Sequence, residues 1–273
     1  MTFDQSLFLY LSALALGAQA AGFARHGGSS SFGLEGVMLL GGLAGLLFSS
    51  LSPWLCLLIA GCAGMLCALP LAWASRRHPG HGVLTGMAFN GFAAALAMIL
   101  ARVSGGVHYS RRAFSLEFGA VTLPLFVPVA LGLLLFSRIF LQHTRLGLRL
   151  RLGGAAPEAA ENALIRPSLA RYACLLCFGF LGGVGGTAGL IALGSNWTLQ
   201  YGLGGLGFFA LAAARPGRKH PLTVFLAVLF LSLLCAGGDC LSPLFPAVPP
   251  EGFRLLPLLG ALLCARQREN KGN

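Results

Sequence analysis

The side chains able to do chemistry are few and scattered. Cys174-x-x-Cys177 has the spacing of a metal or redox pair, but no second pair follows and no histidine lies near it. Cys56, Cys62, Cys67, Cys174, Cys177, Cys235 and Cys264 fall in apolar runs, where a thiol packs as a small hydrophobe. Cys240 lies just past such a run and has no obvious partner. His26, His78, His81, His108, His143 and His220 sit in loops or at the ends of runs, none with ligand spacing such as H-E-x-x-H. No G-x-x-x-x-G-K-[ST] stretch is present, so the chain has no phosphate-binding loop of that kind. The 8 Asp and Glu residues form no cluster with a nucleophile or base. The sequence therefore predicts no catalytic residues, no metal and no cofactor. Any energy for work must come from another protein.

Two polar residues stand out against apolar surroundings. Asn90, flanked by Phe89 and Phe92, needs a partner: another helix or a solute. Glu35 opens an apolar run, where it caps a helix, pairs with Arg25 or lines a solute path with Phe89, Asn90 and Phe92. Glycine is concentrated in Gly182-Gly183-Val184-Gly185-Gly186 and in Gly202-Leu203-Gly204-Gly205-Leu206-Gly207. Such runs either bring helices close or break a helix near a pathway.

The elements that must hold these residues are membrane helices. The chain of 273 residues has mean hydropathy +0.78, is 56% hydrophobic and only 10% charged. A soluble domain carries about 25% charged residues. Apolar runs recur near 6–23, 36–51, 53–75, 83–102, 121–141, 171–193, 203–213, 222–238 and 252–265. This predicts an all-α polytopic membrane protein with eight or nine crossings, read as one transmembrane domain over 1–273. The 203–213 run is short for about 30 Å of hydrocarbon, so it crosses with help or re-enters. The N-terminus is not a signal peptide: Asp4 stands where a basic region should be.

Charge sets the expected orientation. The net charge of +11 does not point to nucleic acid, because Lys and Arg of membrane proteins gather in cytoplasmic loops. With the Thr144–Arg171 segment inside, all 19 Lys and Arg except Arg102, Arg111, Arg112 and Arg254 fall inside. The N-terminus is then outside and the C-terminus cytoplasmic. Thr144–Arg171 is a polar, Arg-rich loop in this reading. Within it Pro157-Glu158-Ala159-Ala160-Glu161 starts a short helix, with proline in the first turn and glutamates at the positive end of the helix dipole. A cytoplasmic helix of this kind is suited to touching a soluble partner. Outside, Ser104–Gly119 is the longest polar stretch, and Arg111 and Arg112 break the charge rule there.

Four stretches carry a resemblance to the permease subunits of ABC importers for nucleosides and simple sugars. It covers about 20–265. Gly28–Gly36 (GSSSFGLEG) is similar to the family's G-V-x-N-I-G-x-E-G block, with Ser31 in place of its Asn. Gly86-Met87-Ala88-Phe89-Asn90 is similar to its G-x-A-x-N block, and Gly202–Pro221 to a glycine-alanine block ending in proline. Thr144–Glu161 resembles its coupling segment, the most specific match of the four. The chain is short for the family, and the expected loss is an N-terminal span.

The resemblance implies a multi-pass protein of the bacterial cytoplasmic membrane that works with a cytoplasmic ATPase, a second permease subunit and an extracytoplasmic substrate-binding lipoprotein. Arg149, Arg151, Gly154, Pro157, Glu158, Ala159 and Glu161 would serve ATPase coupling, and Arg111 and Arg112 lipoprotein docking. The solute would be small and polar: a nucleoside or a riboflavin-like compound, which the 20 phenylalanines favour slightly, or a simple sugar.

Overall fold

A computed structural model describes residues 3–28, 32–49, 51–77, 81–104, 115–118, 121–155, 160, 167–194, 202–215, 221–242, 250–253 and 255–266. The chain begins with α1 (Phe3–His26), α2 (Leu34–Leu47), α3 (Pro53–Arg77) and α4 (Gly82–Val103). An antiparallel hairpin follows, β1 (Ser115–Phe118) against β2 (Val121–Pro124), with Ser115 opposite Pro124 and Phe118 opposite Val121. Then come α5 (Phe126–His143), α6 (Arg145–Ala155), α7 (Pro167–Leu193), α8 (Leu206–Ala214), α9 (Pro221–Leu241), α10 (Pro250–Phe253) and α11 (Leu255–Arg266).

The architecture is all-α and polytopic, as hydropathy predicts. Among the described residues, α1, α3, α4, α5, α7 and α9 are long and apolar enough to cross a bilayer. The other expected crossings are shorter apolar helices. α2 has 14 residues, α11 has 12 and α8 only 9. At 1.5 Å per residue α2 rises about 21 Å, less than the hydrocarbon thickness. Trp54 and Trp73, both exposed on α3, lie about 29 Å apart by the same rise, the spacing of the two aromatic belts of a membrane protein. Arg77 stacks over the Trp73 ring at 5.2 Å.

Two boundaries differ from expectation. The run expected to cross from 121 begins as a strand, and its helix starts at Phe126. Pro124 cannot donate a hydrogen bond, whereas Pro128 falls in the first helical turn, where its missing N–H costs nothing. The Arg-rich loop expected from Thr144 is a helix from its second residue. Leu and Arg are strong helix formers, and Thr144 caps the start. Its hydroxyl donates to the Phe140 carbonyl at 2.5 Å and accepts from the Gly147 N–H at 3.0 Å.

α7 is the centre of the bundle and packs against α1, α2 and α3. One apolar cluster runs through α1–α5 and α7–α9, with Leu14, Leu16, Met38, Leu43, Phe126, Phe178 and Leu190 fully enclosed. The glycines of 182–186 resolve as close packing, since α7 continues through them. A Cβ on Gly186 would fall 1.8 Å from the Met38 carbonyl oxygen, and one on Gly183 would fall 2.1 Å from that of Ala60. Here backbone meets backbone, and no rotamer change relieves a clash. Gly91 on α4 has nothing within 4 Å of its would-be Cβ.

Gly186→Val should therefore destabilise the chain by at least about 3 kcal/mol, the upper part of the overpacking range. Gly91→Ala should be neutral or stabilise by up to about 1 kcal/mol through helix propensity. Thermal unfolding of the two purified variants in detergent separates these outcomes.

Candidate functional site

The turn joining α1 to α2 enters the bundle rather than staying at its surface. Gly33 packs directly on Leu71, two residues before Trp73 on α3. The first turn of α2 thus starts inside the level of the Trp73 belt. Backbone N–H and C=O groups packed inside the bundle need partners from the protein. Leaving one buried and unpaired costs about 1–3 kcal/mol.

Asn90 supplies two partners. Its Oδ1 accepts from the Gly36 N–H at 2.9 Å, and its Nδ2 donates to the Phe32 carbonyl at 2.8 Å. The amide is thus a clamp from α4 onto both sides of the turn. Gly86, one turn earlier on α4, lets the helix approach, since a Cβ there would lie 2.7 Å from the Gly33 nitrogen. Phe89 lies against Gly36, while Phe92 is exposed, with the two ring centroids 6.4 Å apart.

Glu35 reaches the other way. Its Oε1 accepts from the Gly205 N–H at 3.0 Å and its Oε2 from the Gly207 N–H at 2.6 Å. The carboxyl group therefore stands in the first turn of α2 and at the N-terminus of α8 together. Two helix N-termini direct positive potential at it, which offsets the cost of burying an acid. Gly205 has φ 86° and Gly207 sits 2.6 Å, by its would-be Cβ, from the Glu35 Cα, so neither position suits another residue. At the far end of α8, Arg25 Nη2 donates to the Ala214 carbonyl at 2.8 Å. Both ends of this short helix are thus met by charge opposite to their own, from residues on either side of one turn.

The same turn seats α6. Gly154 lies on the backbone of His26 and Gly28, where its Cβ would fall 1.8 Å from the His26 carbonyl oxygen. Gly28 has φ 65°, a left-handed conformation that favours glycine. Arg171 at the start of α7 donates through Nε to the Gly27 carbonyl at 3.3 Å. Leu150 packs with Ala170 and Cys174, and Arg149 and Arg151 are exposed on the other side of α6. The C-termini of α1 and α8, the N-terminus of α7 and all of α6 thus meet at one end of the bundle.

Three of the residues expected at the pathway (Glu35, Phe89 and Asn90) converge on this turn, and Phe92 faces away. Arg149, Arg151 and Gly154 share α6. Pro157, Glu158, Ala159 and Glu161, with Arg111 and Arg112, lie outside the described residues. Sequence reasoning missed Arg171, and also a pair at the opposite end, where the Tyr10 hydroxyl donates to Asp239 Oδ2 at 2.5 Å. Asp239 lies in the last turn of α9. Nothing local signalled these contacts. Among the described residues, no three His, Cys, Asp or Glu side chains gather as a metal site.

The described residues thus form a helical bundle with a short inner helix capped by charge at both ends and an Arg-bearing helix at its surface. The chain belongs to the family described as branched-chain amino acid transport system / permease component, which it matches over residues 5–263. It is similar to the nucleoside ABC transporter permease protein NupC of Lactococcus lactis subsp. cremoris, 27% identical over 94% of this chain and 89% of the relative. The guanosine ABC transporter permease protein NupQ of Bacillus subtilis is 28% identical, over 93% and 88%. The glucose ABC transporter permease protein TsgB13 of Haloferax volcanii is 30% identical, over 85% and 68%. No solved structure matches the chain. The chain is a multi-pass membrane permease component, which transports and is not an enzyme.

The hydrogen bonds of the turn carry a stability prediction. Glu35→Ala leaves two buried N–H groups unpaired and should cost about 2–4 kcal/mol. Glu35→Gln keeps one oxygen acceptor and should cost roughly half of that. Asn90→Leu should cost about 2 kcal/mol for the same reason. Melting curves of the three variants that coincide with wild type would show that the turn is not held this way.

Proposed function

We propose that the chain is a permease subunit of an ATP-binding-cassette importer that moves a nucleoside inward across the bacterial cytoplasmic membrane. The observation that carries this is the match to NupC and NupQ over nearly the whole of both chains. A cytoplasmic ATPase supplies the energy, since this sequence has no phosphate-binding loop. A second permease subunit completes the pathway, and an extracytoplasmic lipoprotein delivers the solute. The N-terminus is outside and the C-terminus cytoplasmic. The gathering of α6 with Arg25 and Arg171 at one end of the bundle fits that orientation.

Coupling runs through Pro157–Glu161, which α6 leads into. Arg149 and Arg151 present cations toward the ATPase, and Gly154 rests on the α1–α2 turn. Displacement of α6 would act on that turn directly. From there Glu35 reaches α8 and Asn90 reaches α4, so one turn passes the motion to two helices that do not touch the motor. Coupling requires that ATP and solute bias the same two-state equilibrium. A rigid, hydrogen-bonded turn suits that task. The solute pathway then borders Glu35, Phe89, Asn90 and Phe92.

A simple sugar is the second reading, favoured by the resemblance to the glucose permease TsgB13. Uptake by the complete complex in proteoliposomes distinguishes the two. Labelled guanosine should accumulate with ATP inside the compartment of the ATPase, and excess glucose should not compete. Collapse of proton and sodium gradients at constant ATP should leave uptake unchanged, whereas its loss would favour an ion-coupled carrier. Replacing Pro157–Glu161 by a Gly/Ser linker should abolish uptake with normal insertion, because no crossing helix is altered.

Arg111 and Arg112 dock the lipoprotein in this scheme. Exposed pairs contribute about 1 kcal/mol or less each and act mainly on encounter rate. Reversing both to Glu should slow uptake most at low salt and low lipoprotein concentration. Lipoprotein-stimulated ATP hydrolysis that is the same as wild type at every ionic strength would remove the assignment.

A further inference from the structure

α5 has one face in the bundle and one turned outward. Phe126, Ala130 and Ser137 are buried, and Ser137 accepts from Gln19 of α1. Leu131, Leu135, Arg138, Ile139 and Gln142 recur at helical spacing on the opposite side, and all are exposed. A stripe that faces only lipid tails is apolar, as Leu131 and Leu135 are. From Arg138 onward this stripe mixes charge and amide with Ile139.

The change falls at the depth of the headgroups. α5 has 18 residues and rises about 27 Å, close to the hydrocarbon thickness, so its last turn reaches the interface. Arg138 lies about 8 Å short of that end by the same rise, a distance its long side chain can span to the headgroups. Only Thr144 separates α5 from α6, and the chain folds back at once. A Cβ on Gly147 would fall 2.2 Å from the Phe140 carbonyl oxygen. Arg145 and Leu146 are therefore held at the level where α5 ends, and both are exposed. Charge indicates what covers this joint. α5, α6 and α7 carry no Asp or Glu, and the Glu35 carboxylate is taken by Gly205 and Gly207. A neutral lipid would leave the arginines unmatched, and a soluble anion would leave Leu135, Ile139 and Leu146 uncovered. A phospholipid of net negative charge matches both.

We propose that the α5–α6 joint binds an anionic phospholipid, with Arg138 and Arg145 on the headgroup phosphate and Leu135, Ile139 and Leu146 against the acyl chains. In the orientation given above, the lipid belongs to the cytoplasmic leaflet. It fixes the start of α6, whose other end seats on the α1–α2 turn through Gly154. Arg149 and Arg151 lie beyond the joint and are left to the ATPase. The assignment needs only that α5 crosses the bilayer, and it does not depend on which solute is carried.

The test uses the complete complex purified in mild detergent and titrated with phosphatidylglycerol or phosphatidylcholine. Native mass spectrometry counts the lipid bound. Wild type should take up phosphatidylglycerol at lower concentration than phosphatidylcholine. The double variant Arg138→Gln, Arg145→Gln should bind phosphatidylglycerol about tenfold or more weakly, as expected for two arginines at an anionic headgroup. Its phosphatidylcholine binding and complex yield should be unchanged, because both side chains are exposed. Equal affinity of the double variant and wild type for phosphatidylglycerol overturns the assignment. Loss of the ATPase or the second permease from the double variant also overturns it, because the arginines then contact protein. Displacement of the lipid by inorganic phosphate at the same concentration overturns it too, since the acyl chains would then add nothing.

Discussion

The structure depends on one constraint: backbone groups placed inside a bilayer must be satisfied by protein. A long crossing helix meets it alone, because all its interior bonds are internal. The short helices α2 and α8 cannot at their first turns, which pack inside the bundle and leave N–H groups without an intrahelical partner. Their exposed N–H groups are met by Asn90 and Glu35. These two side chains are therefore not decoration on an apolar scaffold. Without them the turn at Phe32–Gly36 and the entry into α8 would carry unpaired polar groups inside the bundle.

Burial of an acid is the cost of this solution. It is offset because the Glu35 carboxyl lies where two helix N-termini point and where two N–H groups donate to it. The arrangement also explains the glycines. Gly205 supplies a left-handed backbone, and Gly207 lets the α8 backbone rest on that of Glu35. Arg25 completes the pattern from the other side, donating to the last carbonyl of α8. A nine-residue helix has a weak hold of its own. Here both ends are pinned by one neighbouring segment.

The rest of the bundle is rigid where it is glycine-rich and adaptable where it is not. α7 touches α2 and α3 through backbone alone at Gly64, Gly179, Gly183 and Gly186. Such contacts resist small displacement because no side chain can yield. α6 is joined differently, by Gly154 on a turn and by the small cluster of Leu150, Ala170 and Cys174. In the proposed mechanism that contrast matters: a surface helix moves as a body and pushes on the turn, while the glycine contacts keep the bodies of α2, α3 and α7 together.

The sequence by itself determined the class of protein. Runs of apolar residues near bilayer length leave helices as the only way to cross, and the placement of Lys and Arg sets the expected sidedness. It also marked Glu35, Asn90 and the second glycine run as unusual, because polarity or clustered glycine in apolar surroundings is locally visible. What it did not determine was their partners. Glu35 meets Gly205 and Gly207 across 170 and 172 residues, and Asn90 meets Phe32 and Gly36 across 58 and 54. Hydropathy and spacing report on one helix at a time. A hydrogen bond between helices depends on how they are rotated and packed, which only the tertiary structure decides. The helix at Arg145 was hidden for the opposite reason: its charge read as loop, and the Thr144 cap with the seat at Gly154 made it a helix.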